Sequence, residues 1–165
     1  MSAANHGPDT YNTSMDSELS PNLRLVIADD HPLFRGALHA AISGAFPSAS
    51  ISQAGSIDEL VAELAKTPEM DLVLLDLAMP GVRGFSGLLL LRAEYPGIPV
   101  EVLSAHEEAE VIRRCMEFGA SGFIPKTTEV EVMRQALQTI LDGNTWTPPD
   151  ISLPSGGSDE TTDLV

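Results

Sequence analysis

Asp29 and Asp30 stand side by side, Asp76 closes a run of apolar residues, Ser104 follows Val-Leu, and Lys126 follows Ile-Pro. Brought together, three carboxylates repel one another, and a divalent cation would offset that repulsion. Hard oxygen donors suit Mg²⁺ (or Mn²⁺); Mg²⁺ keeps several waters and takes one or two carboxylates together with phosphate oxygens. A carboxylate nucleophile can form an aspartyl-phosphate. A lysine can pair with the phosphate, and a serine hydroxyl can hydrogen-bond it. Phosphoryl transfer asks for positioning and charge neutralisation more than for covalent machinery. Each residue alone also has a plainer use. Asp29 and Asp30 could cap a helix, and Asp76 could serve a turn before Pro80 and Gly81. Ser104 could be a loop serine and Lys126 a solvated surface lysine.

The elements around these residues decide whether they meet. Five short runs read as strands: Leu23–Ala28, Ser50–Gln53, Leu72–Leu75, Val100–Leu103 and Gly122–Ile124. Helical patterns lie between and after them. The first starts at His31-Pro32, with proline suited to a first turn, and carries the stripe Leu33, Ala37, Leu38, Ala41, Ile42. The second opens with a capping box, Ser56 and Glu59. The third runs from about Phe85 to Glu94, and the fourth from Glu107 to Phe118, stopping at Gly119. The fifth opens with a second box, Thr128 and Glu131, carries Val130, Met133, Leu137, Ile140 and Leu141, and ends at Gly143. Strands alternating with helices predict an α/β fold, a doubly wound five-stranded parallel sheet covered on both faces. Ligands in such folds sit beyond the carboxyl ends of the strands. Asp29, Asp30, Asp76, Ser104 and Lys126 all fall there.

The ends of the chain read differently. Residues 1–22 are rich in Ser, Asn, Asp and Pro, and 144–165 hold three prolines and a Gly-Gly pair. Both are expected to be flexible, an N-terminal arm and an acidic linker or tail. The net charge of −15 would repel nucleic-acid phosphates and anionic membranes. A single cysteine, Cys115, excludes an intrachain disulfide and fits a cytoplasmic setting. Its stripe with Val111 and Phe118 places it in a core. No run is long enough to cross a bilayer.

The motifs "VIADDHPLFRGAL", "LVLLDLAMPGVRG", "VLSA" and "GASGFIPK", in that order, resemble the receiver domains of two-component response regulators. "DDHPLFRGAL", and a lysine followed by threonine where proline is common, favour the NarL/FixJ (LuxR-type) subfamily. The resemblance covers about residues 22–143 and implies a flavodoxin-like receiver domain over 23–143. It implies that Asp76 is the phosphoacceptor, that Asp30 and Asp76 bind Mg²⁺ directly with the backbone carbonyl of Ala78, and that Asp29 acts mostly through water. Ser104 becomes the switch hydroxyl, Lys126 the phosphate-pairing lysine and Phe123 the rotating aromatic. Ala78 and His106 occupy positions that tune phosphate loss. His31 is read as the start of a helix, and not as a phosphohistidine.

The resemblance implies a sensor histidine kinase as phosphodonor, possible homodimerisation and a role as a phosphorylated switch with no turnover of external substrate. The subfamily usually carries a C-terminal helix-turn-helix domain. No recognition helix can be built from "NTWTPPDISLPSGGSDETTDLV", so no direct DNA binding by this chain is expected. The expectation is the regulatory half of a LuxR-type transcription regulator. A stand-alone receiver acting through protein contacts is the alternative. A Mg²⁺-dependent phosphohydrolase with an aspartyl nucleophile is a remoter one: Asp76 is followed by Leu77-Ala78 and not by x-Asp, and no insertion is long enough for a cap. A degenerate docking receiver is disfavoured by the intact acid, hydroxyl and lysine positions.

Overall fold

The computed structural model describes residues 23–81 and 83–149. The expected N-terminal arm and the tail beyond Pro149 lie outside them. The order is β1 (Arg24–Ala28), α1 (Pro32–Ala45), β2 (Ser50–Ala54), α2 (Ile57–Lys66), β3 (Leu72–Asp76), α3 (Ser86–Glu94), β4 (Val100–Ser104), α4 (Ala109–Glu117), β5 (Gly122–Pro125) and α5 (Val130–Leu141). The strands form one parallel sheet in the order β2-β1-β3-β4-β5. The order reverses between β1 and β3, and the crevice opened there is the usual ligand site of this architecture. β3, β4 and β5 each run one residue past the expected end, so Asp76 and Ser104 are the last residues of their strands.

β3 and β4 are buried along their whole length because helices cover both faces. Alternate side chains sort into two cores. Val26, Val73, Leu75, Val102 and Phe123 pack with Leu60, Leu88 and Ile112 from α2, α3 and α4. Leu25, Ile27, Leu74 and Ile124 pack with Ile42 and Leu137 from α1 and α5. Cys115 is buried as expected, and burial pushes its thiol up to about 12.

Several local expectations need correction, among them Val130 of the α5 stripe, which is 61% exposed, and Ala37 of the α1 stripe, which is also exposed. Leu33 does not join the core stripe of α1; it is 91% exposed, and the next residue, Phe34, is the one in the first turn that packs against the core, with Leu38 and Ile42 buried further along. The box at Thr128 does not form either. The cap of α5 is Glu129 with no side-chain hydrogen bond, and Glu131 pairs with Arg134 instead. The first box forms with a shifted return bond: Glu59 N–H donates to Ser56 Oγ at 3.2 Å, and Glu59 Oε1 accepts the N–H of Gly55, the residue before the cap, at 2.6 Å.

Beyond Gly143, the expected end of the domain, the chain continues along the outer edge of β5. Trp146 N–H donates to Ser121 O at 3.1 Å, and Phe123 N–H donates to Trp146 O at 3.0 Å. Gly122 makes room for this. A Cβ there would lie 2.5 Å from Ile140 Cδ1, 2.5 Å from Glu101 Oε2 and 2.9 Å from the Trp146 carbonyl.

Glu101 is fully buried in β4, and neither carboxylate oxygen has a hydrogen-bond partner. Burial pushes its carboxyl well above the ordinary glutamate range. A raised folded value gives a contribution to stability that is present in acid and lost as pH rises through it. Glu101→Met keeps an unbranched chain and removes both unpartnered oxygens. It is expected to raise stability by about 1–3 kcal/mol at neutral pH, with less gain in mild acid. Urea midpoints across the pH range check this; equal midpoints at neutral pH would show that the buried carboxyl is not costly.

Candidate functional site

The carboxyl ends of β1 and β3 are adjacent in the sheet, which brings the acid pair of one motif to the acid of the other. Asp29 and Asp76 are 0% and 2% exposed, while Asp30 is partly exposed. Lys126, just past β5, reaches across to them. Its Nζ lies 2.7 Å from Asp29 Oδ2 and 3.2 Å from Asp76 Oδ2. Both oxygens pair with the ammonium by proximity without hydrogen-bond alignment. The same Nζ stands 4.8 Å over the Phe34 ring, a second source of cation stabilisation.

The two members of the acid pair differ in their surroundings. Asp29 Oδ1 accepts the His31 N–H at 2.7 Å, and its other oxygen faces Lys126. Asp30 Oδ1 is buried and has no hydrogen-bond partner. Asp76 Oδ1 accepts the Ala78 N–H at 3.2 Å, and Oδ2 has no aligned donor. Burial pushes the Asp76 carboxyl above the ordinary aspartate range and the charge of Asp29 adds to this, against the Ala78 N–H and Lys126. The cluster is short of positive charge. Its free oxygens are the hard donors that Mg²⁺ or Mn²⁺ takes, so the residues present fit such a cation.

Ser104 ends β4 one register step from Asp76: Asp76 aligns with Leu103, and Ser104 aligns with Pro125, the residue before Lys126. Ser104 Oγ accepts the His106 N–H at 2.9 Å, and Lys126 N–H donates to Ser104 O at 2.9 Å. Thr127 Oγ1 donates to Glu107 Oε2 at 2.9 Å, which ties the loops after β4 and β5 together. The side chains of Ala78 and His106 are exposed beside the site. Phe123 is fully buried in the core on the α2–α4 face.

The sequence reading did not place His31 in the site. Its Nδ1 lies 3.1 Å from Asp29 Oδ1, 3.3 Å from Asp30 Oδ1 and 3.8 Å from Asp76 Oδ2. It is the cap residue of α1 but makes no side-chain capping bond. Adjacency to the acid pair was the one signal available, and a helix start explained it equally well.

Among known families, the response regulator receiver domain matches residues 25–138. The glycerol metabolism activator of Pseudomonas putida is 41% identical over 128 residues, which cover 78% of this chain and 58% of that protein. The probable transcriptional regulatory protein NarL of Mycobacterium tuberculosis is 33% identical over 126 residues, covering 74% of this chain and 57% of the relative. The chain thus spans a little over half the length of these curated relatives. A LuxR family DNA-binding response regulator from Silicibacter pomeroyi has a solved structure that is similar with a TM-score of 0.68 at 33% identity, over 78% of this chain and 98% of that one. The signal receiver domain of the putative response regulator NarL from M. tuberculosis follows at 0.66 and 30%, over 74% and 98%.

Proposed function

We propose, since this chain belongs to the response regulator receiver domain family, that it is a phosphorylation switch whose acceptor is Asp76 and whose donor is the phosphohistidine of a sensor kinase. The observation that carries this is the approach of Lys126 Nζ to both Asp29 and Asp76 beside unpartnered carboxylate oxygens. Asp30 and Asp76 would hold the cation directly, with the Ala78 carbonyl. Asp29 already faces the His31 N–H and Lys126, which suits a role through water. When bound, Mg²⁺ or Mn²⁺ supplies the positive charge that lets an anionic carboxylate approach an anionic phosphoryl group.

An Asp76 carboxylate oxygen attacks phosphorus, the bond from phosphorus to the donor imidazole breaks with its electron pair going to nitrogen, and the imidazole leaves neutral because the donor's other ring nitrogen already carries a proton. Lys126 turns from the carboxylates to the new phosphoryl oxygens. Ser104 Oγ donates to one of them, giving up its present acceptance of the His106 N–H. Exposed Ala78 and His106 flank the path by which water returns to the acyl phosphate. The chain acts on itself and leaves external substrates unturned.

The outward effect runs through β5. Ser104 and Lys126 bracket its end, and Phe123 is bonded through its backbone to the Trp146 segment. Trp146 is the sole tryptophan, so its fluorescence is expected to shift on phosphorylation. Unchanged emission in fully phosphorylated protein would disprove this coupling. One longer relative is named a glycerol metabolism activator and another a probable transcriptional regulatory protein. The chain is proposed as the regulatory half of such a protein, cytoplasmic, with a helix-turn-helix domain as its output and a homodimer as a possible active form. No described helix is long and apolar enough to cross a membrane.

Acetyl phosphate with Mg²⁺ tests the chemistry directly. Intact mass is expected to rise by one phosphoryl group, and hydroxylamine is expected to remove it, as for an acyl phosphate. No mass gain, or a gain stable to hydroxylamine, would defeat the proposal.

A further inference from the structure

His31 is held at the acid cluster by geometry that its place at a helix start does not require. Its Nδ1 and one oxygen each from Asp29, Asp30 and Asp76 all lie within 4.8 Å of one another. Two ligands at right angles on an ion with bonds of about 2.1 Å stand about 3.0 Å apart. The separation of 3.3 Å to Asp30, the acid that would hold the cation directly, matches adjacent ligand positions, while the 3.1 Å to Asp29 is a hydrogen-bond distance. The 3.8 Å to Asp76 falls between adjacent and opposite positions. A ring nitrogen facing three carboxylate oxygens either donates a hydrogen to them or, as an acceptor, shares with them a positive charge, here that of Lys126 at 3.4 Å. Asp30 Oδ1 and Asp76 Oδ2 are buried without hydrogen-bond partners, so a hydrogen donated to Asp29 leaves Asp30 Oδ1 unanswered and Asp76 Oδ2 with only the Lys126 ammonium at 3.2 Å.

We propose that His31 Nδ1 is a ligand of this metal site, which gives the chain a nitrogen donor among oxygen donors and a preference for Mn²⁺, Co²⁺ or Zn²⁺ over Mg²⁺. Imidazole suits these borderline cations, whereas carboxylate, carbonyl and water suit Mg²⁺. Lys126 Nζ stands 3.4 Å from His31 Nδ1 and 3.2 Å from Asp76 Oδ2, so it holds the place of positive charge here and must turn aside for an ion. It approaches Asp29 through Oδ2, the oxygen that His31 does not contact. The ring is 61% exposed, so it can settle onto an arriving ion without disturbing the core. The inference rests on reading the carboxylates as a metal site, and the experiment separates the two.

Mn²⁺ is bound to the full chain and to three variants, His31→Phe, His106→Phe and Asp30→Asn, and pulsed electron paramagnetic resonance reads nitrogen hyperfine coupling to the ion. His106 is the control, because it is exposed beside the same site. The expected result is nitrogen coupling in the unaltered chain, kept in His106→Phe and lost in His31→Phe, which still binds Mn²⁺. Titration is expected to show that the preference for Co²⁺ over Mg²⁺ falls about tenfold or more in His31→Phe. If Mn²⁺ binds through Asp30 but coupling is absent, or survives in His31→Phe, the ligand assignment is overturned while the carboxylate site stands. If Asp30→Asn binds Mn²⁺ as tightly as the unaltered chain, the carboxylate site fails and the ligand assignment goes with it.

Discussion

Asp76→Asn is expected to lower phosphoryl incorporation from a small phosphodonor or a kinase phosphohistidine to background. The amide has nearly the shape of the carboxylate, so packing at the end of β3 should survive, and the Ala78 N–H keeps an acceptor. What disappears is the anionic nucleophile. The fold should tolerate the change well and even gain from it. Asp76 is buried near the charge of Asp29, and its carboxyl lies above the usual aspartate range. Such a group costs stability as pH rises through its folded value. The variant is therefore expected to melt higher than the parent at neutral pH, with the difference shrinking in acid. Mass spectrometry after reaction and thermal melts at several pH values check both halves. Label that persists in the variant on another residue would remove Asp76 from the role. Label lost together with the fold would leave the loss unassigned to the nucleophile, which is why the melts belong to the same experiment.

Lys126→Met should be the most damaging single change to the stability of the site. It keeps a long apolar stem beside Phe34 and removes the charge that faces Asp29 and Asp76. Both carboxylates are buried, and removing one partner of a buried ion pair leaves charge that water cannot reach. The expected loss is about 3 kcal/mol at neutral pH. Two conditions should reduce it. Acid protonates Asp76 early because its carboxyl is already raised, and millimolar Mg²⁺ replaces the missing positive charge. Urea midpoints with and without Mg²⁺ read the effect. A variant as stable as the parent without a divalent cation would show that the ammonium does not hold the cluster together. One that stays destabilised with Mg²⁺ bound would show that the lysine stem or its hydrogen bonds mattered more than its charge.

Much of this was legible in the sequence. Apolar runs such as Leu72–Leu75 mark strands covered on both sides, and the breaks at Gly119 and Gly143, which adopt φ of 99° and 94°, mark helix ends. The acid, hydroxyl and lysine positions were readable from the order of the motifs. Cys115 was readable from its stripe. These are properties of neighbours along the chain, where a period of two or of 3.6 states which side of an element faces inward.

Other features depend on residues far apart in sequence. Leu33 has the right spacing for the core of α1, but the face that turns inward carries Phe34, Leu38 and Ile42. Thr128 has the right spacing for a cap, but α5 starts two residues later. Glu101 reads as an ordinary polar residue in a strand. Its burial follows from the register that sets it opposite Gly122, under Ile140 and beside Trp146.

By itself, the sequence determined the class of fold, the order of the strands along the chain and which acids, hydroxyl and lysine stand at the strand ends. Only the tertiary structure decided how they divide the work. Asp29 is matched to Lys126 across 97 positions of chain, and Asp30 keeps an oxygen unpartnered. His31 turns from the helix it begins toward the acids of two strands. The physical reason is that charges interact through space at a few ångströms, and those distances are set by strand pairing and loop closure. Local periodicity says which way a side chain faces; it does not say what stands opposite.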